Sequence, residues 1–516
     1  MAAQTNNQTI ARNTIMLYFR MMFSMLVGLF TSRVILQTLG VTDYGIYQTV
    51  GGIVGFMSFL NNALATGSSR FLTFELGKGD KDKLSKTFST TFLIHLALAV
   101  LIIIVTESVG LWFLYNKLII PAVRFDAAVY CFHLSVVTVA VGITQVPYNS
   151  SIISHEKMDL YAYAGIVETL LRLVIVYLLY IGNFDKLMLY STMLFVVTLG
   201  FQTFYRMYCV RHFEECKLKW TYDKSILSEI SKFSGWSLFA NLSIALSNQG
   251  ILILLNMFFA PAVVAARAIS LQVNGYVQQF VTNFRTAANP QIVKRYAAGD
   301  FDGHKSLLIQ STKFSFFLLY IMGFPVCLTA YPLLHLWLGI VPDYTVVFLQ
   351  IVVIENLFSV FDVSLYQALY AKGDLKWNAL TSPTIGFITF PIVYVCFKCG
   401  ASPIVLSWAY LVSKIILGCI QKPILLIKVV GYKCSDFVPM YWSCLKVVII
   451  SLPLPILYYI FCSSITSIEF VDFILTAGIA ALCTGVAIWF FGMDKTMRTK
   501  LMDMVKHKIK NKDIAI

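Results

Sequence analysis

Apolar residues in this chain fall into long, nearly unbroken runs of similar length, separated by short polar segments. A bilayer core about 30 Å thick needs about 20 helical residues to cross it. Runs of that size predict fourteen helices, over 14–38, 43–66, 87–115, 125–150, 159–182, 187–208, 233–258, 262–285, 308–332, 344–369, 377–398, 402–428, 440–462 and 470–492. They are too long and continuous for the short alternating strands of an outer-membrane barrel. The expected fold class is an all-α polytopic membrane protein.

Composition agrees and narrows the field. Of 516 residues, 58% are hydrophobic and 13% charged, about half the charged share of an ordinary soluble domain. A soluble enzyme, a disordered protein and a nucleic-acid-binding protein are all excluded. The net charge of +14 is explained by where the basic residues lie. With the N-terminus inside, 28 Lys and Arg fall on cytoplasmic segments, among them Lys422, Lys428 and Lys433. Only Lys117, Arg124, Lys186 and Lys398 fall on outer loops. Such a bias follows the positive-inside rule and predicts both termini on the cytoplasmic side. The first run is too long for a cleavable signal and is followed by further spans. Most of the eleven cysteines, such as Cys131, Cys327, Cys419 and Cys462, sit in apolar runs and read as small buried hydrophobes, with no metal site. In the basic tail, Met497, Leu501, Val505 and Ile509 recur every four residues. That spacing suits either a helix on the anionic inner leaflet or a solvated tail.

The chain also repeats itself. Gly79-Asp80-Lys81-Asp82 follows the second predicted helix and Gly299-Asp300-Phe301-Asp302 the eighth, and Thr66 and Thr286 share the same offset of 220. Six helices separate the copies, so both point the same way. This predicts two parallel six-helix lobes, 1–215 and 216–430, followed in 431–516 by two additional transmembrane helices and the basic tail. Paired lobes with a cleft between them are the geometry of alternating access. There is no GxxxxGK[ST] phosphate loop, so the chain is not expected to hydrolyse ATP itself; a transporter without enzymatic activity or cofactor is the expectation.

Polar stripes within the apolar runs mark candidate cavity linings. In helix 8, Arg267, Ser270, Asn274, Gln278, Thr282 and Arg285 are spaced to share one face. Facing lipid, that stripe would be costly, so it is expected to face water or protein. Helix 7 carries Ser234, Ser237, Asn241 and Asn248, which interhelical hydrogen bonding explains equally well. Helix 1 contains Arg20 and Arg33 and no acid; snorkelling to an interface is an alternative role for either. Helices 1, 7 and 8 hold no Asp or Glu, so the predicted cleft is cationic and suited to a phosphate or pyrophosphate, which arginine grips through its bidentate fork. On helix 10, Glu355, Ser359, Asp362 and Tyr366 share a face. The two acids are candidates to couple transport to a cation or proton, or to neutralise Lys414. Glu168 and Arg172, four apart, are expected to pair with each other, and His95 and His133 to be hydrogen-bonded structure.

Arg33-Val34-Ile35-Leu36-Gln37-Thr38-Leu39-Gly40, followed by Asp43-Tyr44-Gly45-Ile46-Tyr47, resembles the end of helix 1 and start of helix 2 in polysaccharide (O-antigen and capsule repeat-unit) flippases. These belong to the multidrug/oligosaccharidyl-lipid/polysaccharide exporter superfamily. Gln145-Val146-Pro147-Tyr148-Asn149, leading into Glu156-Lys157-Met158, resembles the end of helix 4 in the same branch. The resemblance covers essentially the whole chain. It implies flipping of lipid-linked sugar units, carried on undecaprenyl pyrophosphate, from the cytoplasmic to the outer leaflet. It also implies a cationic cavity to which Arg20, Arg33, Arg267 and Arg285, with Asn274 and Gln278, would contribute. The implied partners are that lipid-linked oligosaccharide, membrane lipids and a polysaccharide polymerase, with no nucleic acid. The physics fits, because a pyrophosphate-sugar head cannot cross hydrocarbon without a polar path. The alternative is a multidrug cation antiporter of the same fold, for which Glu355 and Asp362 would matter. A membrane-embedded polymerase would be expected to carry a large outer loop, and none exceeds about a dozen residues. A purely structural protein leaves the polar stripes unexplained.

Overall fold

The computed structural model describes residues 2–155, 157–180, 184–219, 221–462, 469–493 and 498–499. Among them there are helices and connecting turns and no strand. The chain is an all-α polytopic membrane protein. All fourteen predicted runs fall on helix, and eleven helices of the described residues are both long and apolar enough to cross a bilayer.

The helices are α1 Ala2–Phe56, α2 Ser58–Lys78, α3 Lys81–Lys117, α4 Phe125–Ser154, α5 Met158–Leu178 and α6 Lys186–His212. After them come α7, made of Lys224–Ala245, a π-helical turn Leu246–Gly250 and Ile251–Phe258, and then α8 Pro261–Ala297 and α9 Phe301–Leu328. The series closes with α10 Thr345–Lys372, α11 Lys376–Lys398, α12 Ile404–Val430, α13 Cys434–Phe461 and α14 Glu469–Gly492. The first two predicted runs meet differently from the expected loop. α1 continues through 41–56 with a single break at Gly40, whose φ of 79° is readily adopted by glycine. α8 is a helix of 37 residues that is absent from the eleven, because its polar stripe dilutes the apolar sequence.

Both copies of the Gly-Asp-x-Asp sequence fold alike. Gly79 and Gly299 have φ of 77° and 75°. The following aspartate then caps the next helix, Asp80 accepting from the Lys83 amide at 3.0 Å and Asp300 from the Gly303 amide at 2.9 Å. A left-handed glycine ends one helix and an N-cap starts the next, which is why four residues suffice for the reversal.

The chain forms two compact units. Unit 1 comprises Met1–Ala268, Trp337–Asp343 and Gly386–Pro403. Its α4 packs against α2, α3 and α6, α1 lies on α5, and α2 lies on α7. Ile46, Leu114, Phe132 and Leu187 form one buried cluster, and Phe88, Tyr148, Ile152 and Cys209 another. Gly45 is required by packing: a Cβ there would lie 2.0 Å from the Pro261 carbonyl oxygen. Unit 2 comprises Ile269–Leu336, Tyr344–Ile385 and Ile404–Ile516. Here α10 packs between α9 and α12, and α14 lies on α9 and α13. Phe316, Phe361, Leu365, Leu426 and Val447 belong to its core.

Candidate functional site

The densest polar assembly in the described membrane helices lies in unit 2, where α10, α11 and α12 meet. Its origin is a defect in α12. Pro423 has no amide hydrogen and its ring crowds the carbonyl four residues back. Around it, α12 widens into π-helical turns at Ile416–Gln421 and Leu426–Val430, a form often found at functional positions. Gly418 lets α12 approach α10 closely, since a Cβ there would sit 2.5 Å from the Phe358 carbonyl oxygen. One turn further along both helices, Lys422 reaches Asp362.

Lys422 is 2% exposed. Its ammonium lies 2.9 Å from Asp362 Oδ1, donates to Ser382 Oγ at 3.1 Å and to Asn378 Oδ1, and sits 5.6 Å from the centre of the Tyr366 ring. Gln421 donates to Thr381 Oγ1 at 2.6 Å and to Ser382 Oγ at 3.1 Å, tying the same wall of α11 to α12. Lys422 pairs with Asp362 directly, Arg285 acts on the same carboxylate through space, and Lys414 lies within electrostatic reach of Lys422. Glu355, half-buried on α10, is two turns away from Asp362. Even with both acids counted, the cluster carries a positive excess. A buried ion pair contributes little net stability, because desolvation offsets the attraction; removing one partner is what costs.

Asp362 is paired with Lys422, a partner the sequence did not suggest, and Lys422 is a buried residue of α12. The shared face of Asp362 and Tyr366 is as expected, since both touch Lys422.

The stripe on α8 divides into segments with different environments. Arg267 is 1% exposed and Ser270 is fully buried, flanked by buried Val264, Ala268 and Ile269. Asn274 and Gln278 are brought together by Asn356 of α10, whose amide donates to Asn274 Oδ1 and accepts from Gln278 Nε2. Hydrogen bonding between helices, an expected use of such groups in membrane bundles, therefore accounts for these two. At the far end Arg285 is half-buried and donates to Thr282 Oγ1 at 3.3 Å. Arg33 is exposed on α1, seven residues before the Gly40 break. The side chains of Arg20, Ser234, Ser237, Thr66 and Thr286 lie outside the described residues, as does nearly all of the basic tail.

Other intramembrane charges are structural. Glu168 and Arg172 pair at 2.8 Å. His95 donates through Nδ1 to the Thr91 carbonyl at 2.9 Å, and His133 lies 2.9 Å from Glu107. Arg124 clamps Asp43 with two bonds of 2.7 Å and reaches Asp185 at 2.5 and 3.1 Å. Arg206 sits 5.1 Å from the Tyr148 ring and donates to Thr144 at 3.1 Å. Among the described residues no group of three or more His, Cys, Asp and Glu side chains is placed to hold a metal. Cys396 and Cys399, three apart, are free thiols.

A bundle of apolar helices with charged groups clustered inside one unit has the make-up of a membrane transporter. No protein-family model matches the sequence, and no curated protein matches it. Solved structures do match its fold. The lipid II flippase MurJ in an inward closed conformation aligns with a TM-score of 0.70 at 13% identity, covering 92% of this chain and 98% of that one. An inward-facing multidrug resistance MATE family transporter of the MOP superfamily aligns at 0.65 and 12% identity, covering 80% and 98%. A MOP superfamily transporter from Pyrococcus furiosus, described as having a binding pocket of reverse polarity, aligns at 0.57 and 13%, covering 81% and 95%. The chain has the fold of these flippase and transporter structures.

Proposed function

We propose that this protein flips undecaprenyl-pyrophosphate-linked oligosaccharide repeat units across the bacterial cytoplasmic membrane by alternating access, supplying surface polysaccharide synthesis. The observation that carries this reading is the positive excess within apolar helices where Lys422 pairs with Asp362, Arg285 acts on the same carboxylate and Lys414 acts on Lys422. Permanent positive charge in a low-dielectric setting favours a phosphate-bearing cargo over a cationic drug. The substrate contacts assigned to this activity are Arg20, Arg33, Arg267, Asn274, Gln278 and Arg285.

The alternative, a cation-coupled multidrug antiporter, draws on Glu355 and Asp362 and on the multidrug transporter among the structural neighbours. It is disfavoured because Asp362 is held by a lysine ammonium at 2.9 Å, and a carboxylate so held is a poor receptor for a second cation. The matched Gly-Asp loops support two lobes, 1–215 and 216–430, with 431–516 appended. The lysine and arginine bias supports cytoplasmic termini, and a polysaccharide polymerase is the natural consumer of the flipped unit.

The test is lipid extraction from cells with and without the gene. Loss of the protein is expected to leave completed undecaprenyl-pyrophosphate-linked oligosaccharide on the cytoplasmic side and to deplete surface polysaccharide. No accumulation, together with new sensitivity to cationic drugs, would establish the antiporter instead.

A further inference from the structure

Two clefts of similar size occur at corresponding places in the sequence. In unit 1, α5 and α6 enclose about 830 Å³; in unit 2, α11 and α12 enclose about 910 Å³. Six lining positions match at the offset of 220 that relates the two Gly-Asp loops. Two of the six pairs are apolar in both units: Leu160 matches Leu380 and Phe204 matches Ile424. At three others the chemistry changes, from Ala164, Phe201 and Tyr208 in unit 1 to Thr384, Gln421 and Lys428 in unit 2. The same frame therefore holds a hydrocarbon groove in both units and a polar, basic end in unit 2 alone.

That end is well furnished. Lys372 and Lys428 both line the cleft and are exposed. The Lys372 ammonium donates to the Val429 carbonyl, which fixes it at the mouth while leaving it other donors. Lys376 stands 5.9 Å from the ring of Trp377, which also lines the cleft, and Asp374 is the acid among these groups. Trp377, Ile420 and Ile424 are exposed, so in a bilayer the groove is open to lipid. Basic residues beside an interfacial tryptophan, leading into an aliphatic groove between membrane helices, match an anionic lipid.

We propose that the cleft between α11 and α12 is a binding site for an anionic glycerophospholipid, its phosphate held by Lys372 and Lys428 and an acyl chain lying along Leu380, Ile420 and Ile424. Gln421 lines this cleft and bonds Thr381 and Ser382, and Ser382 also holds Lys422. Gln421, in the wall of the cleft, is therefore two hydrogen bonds from the buried ion pair.

The test uses the full chain in phosphatidylcholine bilayers containing phosphatidylglycerol, with retained lipid identified by native mass spectrometry. Wild type is expected to retain phosphatidylglycerol over phosphatidylcholine. The Lys372→Gln/Lys428→Gln double variant should lower that preference about 25-fold, about fivefold per lysine. Thr384→Trp, at an exposed position, should displace the lipid by filling the groove with both lysines intact. Tyr208→Ala, in the matching cleft of unit 1, should change nothing. A wild type that does not discriminate between the two phospholipids, or a preference that survives both the double variant and Thr384→Trp, would overturn the proposal. So would retention of added undecaprenyl phosphate alone, which would make the cleft a substrate site.

Discussion

Two charge clusters among the described residues, one in each unit, are built on opposite plans. In unit 1, one arginine is shared by two carboxylates: Arg124 presents its fork to Asp43 and its remaining donors to Asp185. All three sit near helix ends, partly exposed, and Asp185 also caps α6 through the amides of Leu187 and Met188. In unit 2, one carboxylate pairs with Lys422, which is 2% exposed, and also acts electrostatically on Arg285. The first cluster saturates its donors and acceptors and holds loops to helices. The second leaves positive charge over. Saturated geometry at a helix end marks a fastening, whereas uncompensated charge in the interior marks a place where something else is meant to complete the balance.

The contrast can be broken most forcefully at Asp362. Asp362→Ala strands Lys422 as a buried charge and should destabilise the protein by about 3–5 kcal/mol, read as a fall in thermal unfolding midpoint in detergent. Asp362→Leu combined with Lys422→Met should recover most of that loss while abolishing export, because stability and function are carried by different aspects of the cluster. If export survived in a stable double variant, the cluster would be a fastening like its counterpart. Gly418→Ala should cost about 1–3 kcal/mol by overpacking the α10–α12 contact, with export falling in step as Lys422 is pushed from Asp362. Arg124→Lys keeps the charge but loses the fork, and is expected to cost about 1–2 kcal/mol with transport per folded molecule unchanged.

The smallest effect sharpens the same comparison through pH. The Arg124 guanidinium holds the Asp185 carboxyl below its ordinary value of 3.8. A depressed acid contributes stability that is complete above the ordinary value and disappears as pH falls through the depressed one. Wild type and Asp185→Asn should therefore differ in thermal midpoint near neutrality and converge in acid once the pH falls below the depressed value.

Much of this was readable in the residues, for identifiable reasons. Hydrocarbon thickness imposes one length on every span, so the apolar runs predicted helices that the structure contains. The Gly-Asp loops were legible because a left-handed turn and an N-cap both demand small sets of residues. Glu168 and Arg172 were legible because four residues on one helix must be neighbours. Lys422 was not. Its partner is sixty residues away, and its place near the end of an apolar run made it resemble the lysines that follow. Asn356 was hidden likewise: it sits beside Glu355 in sequence but off the charged face, and its role appears only when α8 is laid against α10. Arg124 looked like an outer-loop residue, and nothing local announced two aspartates converging on it from positions 43 and 185.

The π-helical turns of α12 have a bearing on how chain length can vary. Each widened turn accommodates one residue more than an α-helical turn, displacing every later side chain by about 100° around the axis. Between Ile416 and Val430 the helix therefore holds residues in reserve. A single deletion there can be absorbed by tightening a turn, leaving both flanking loops in place, whereas the same deletion in α10, an unbroken α-helix, would turn its buried face outward. Length changes in α12 would act as a rotary adjustment, presenting a different side chain to Asp362 without altering the fold around it.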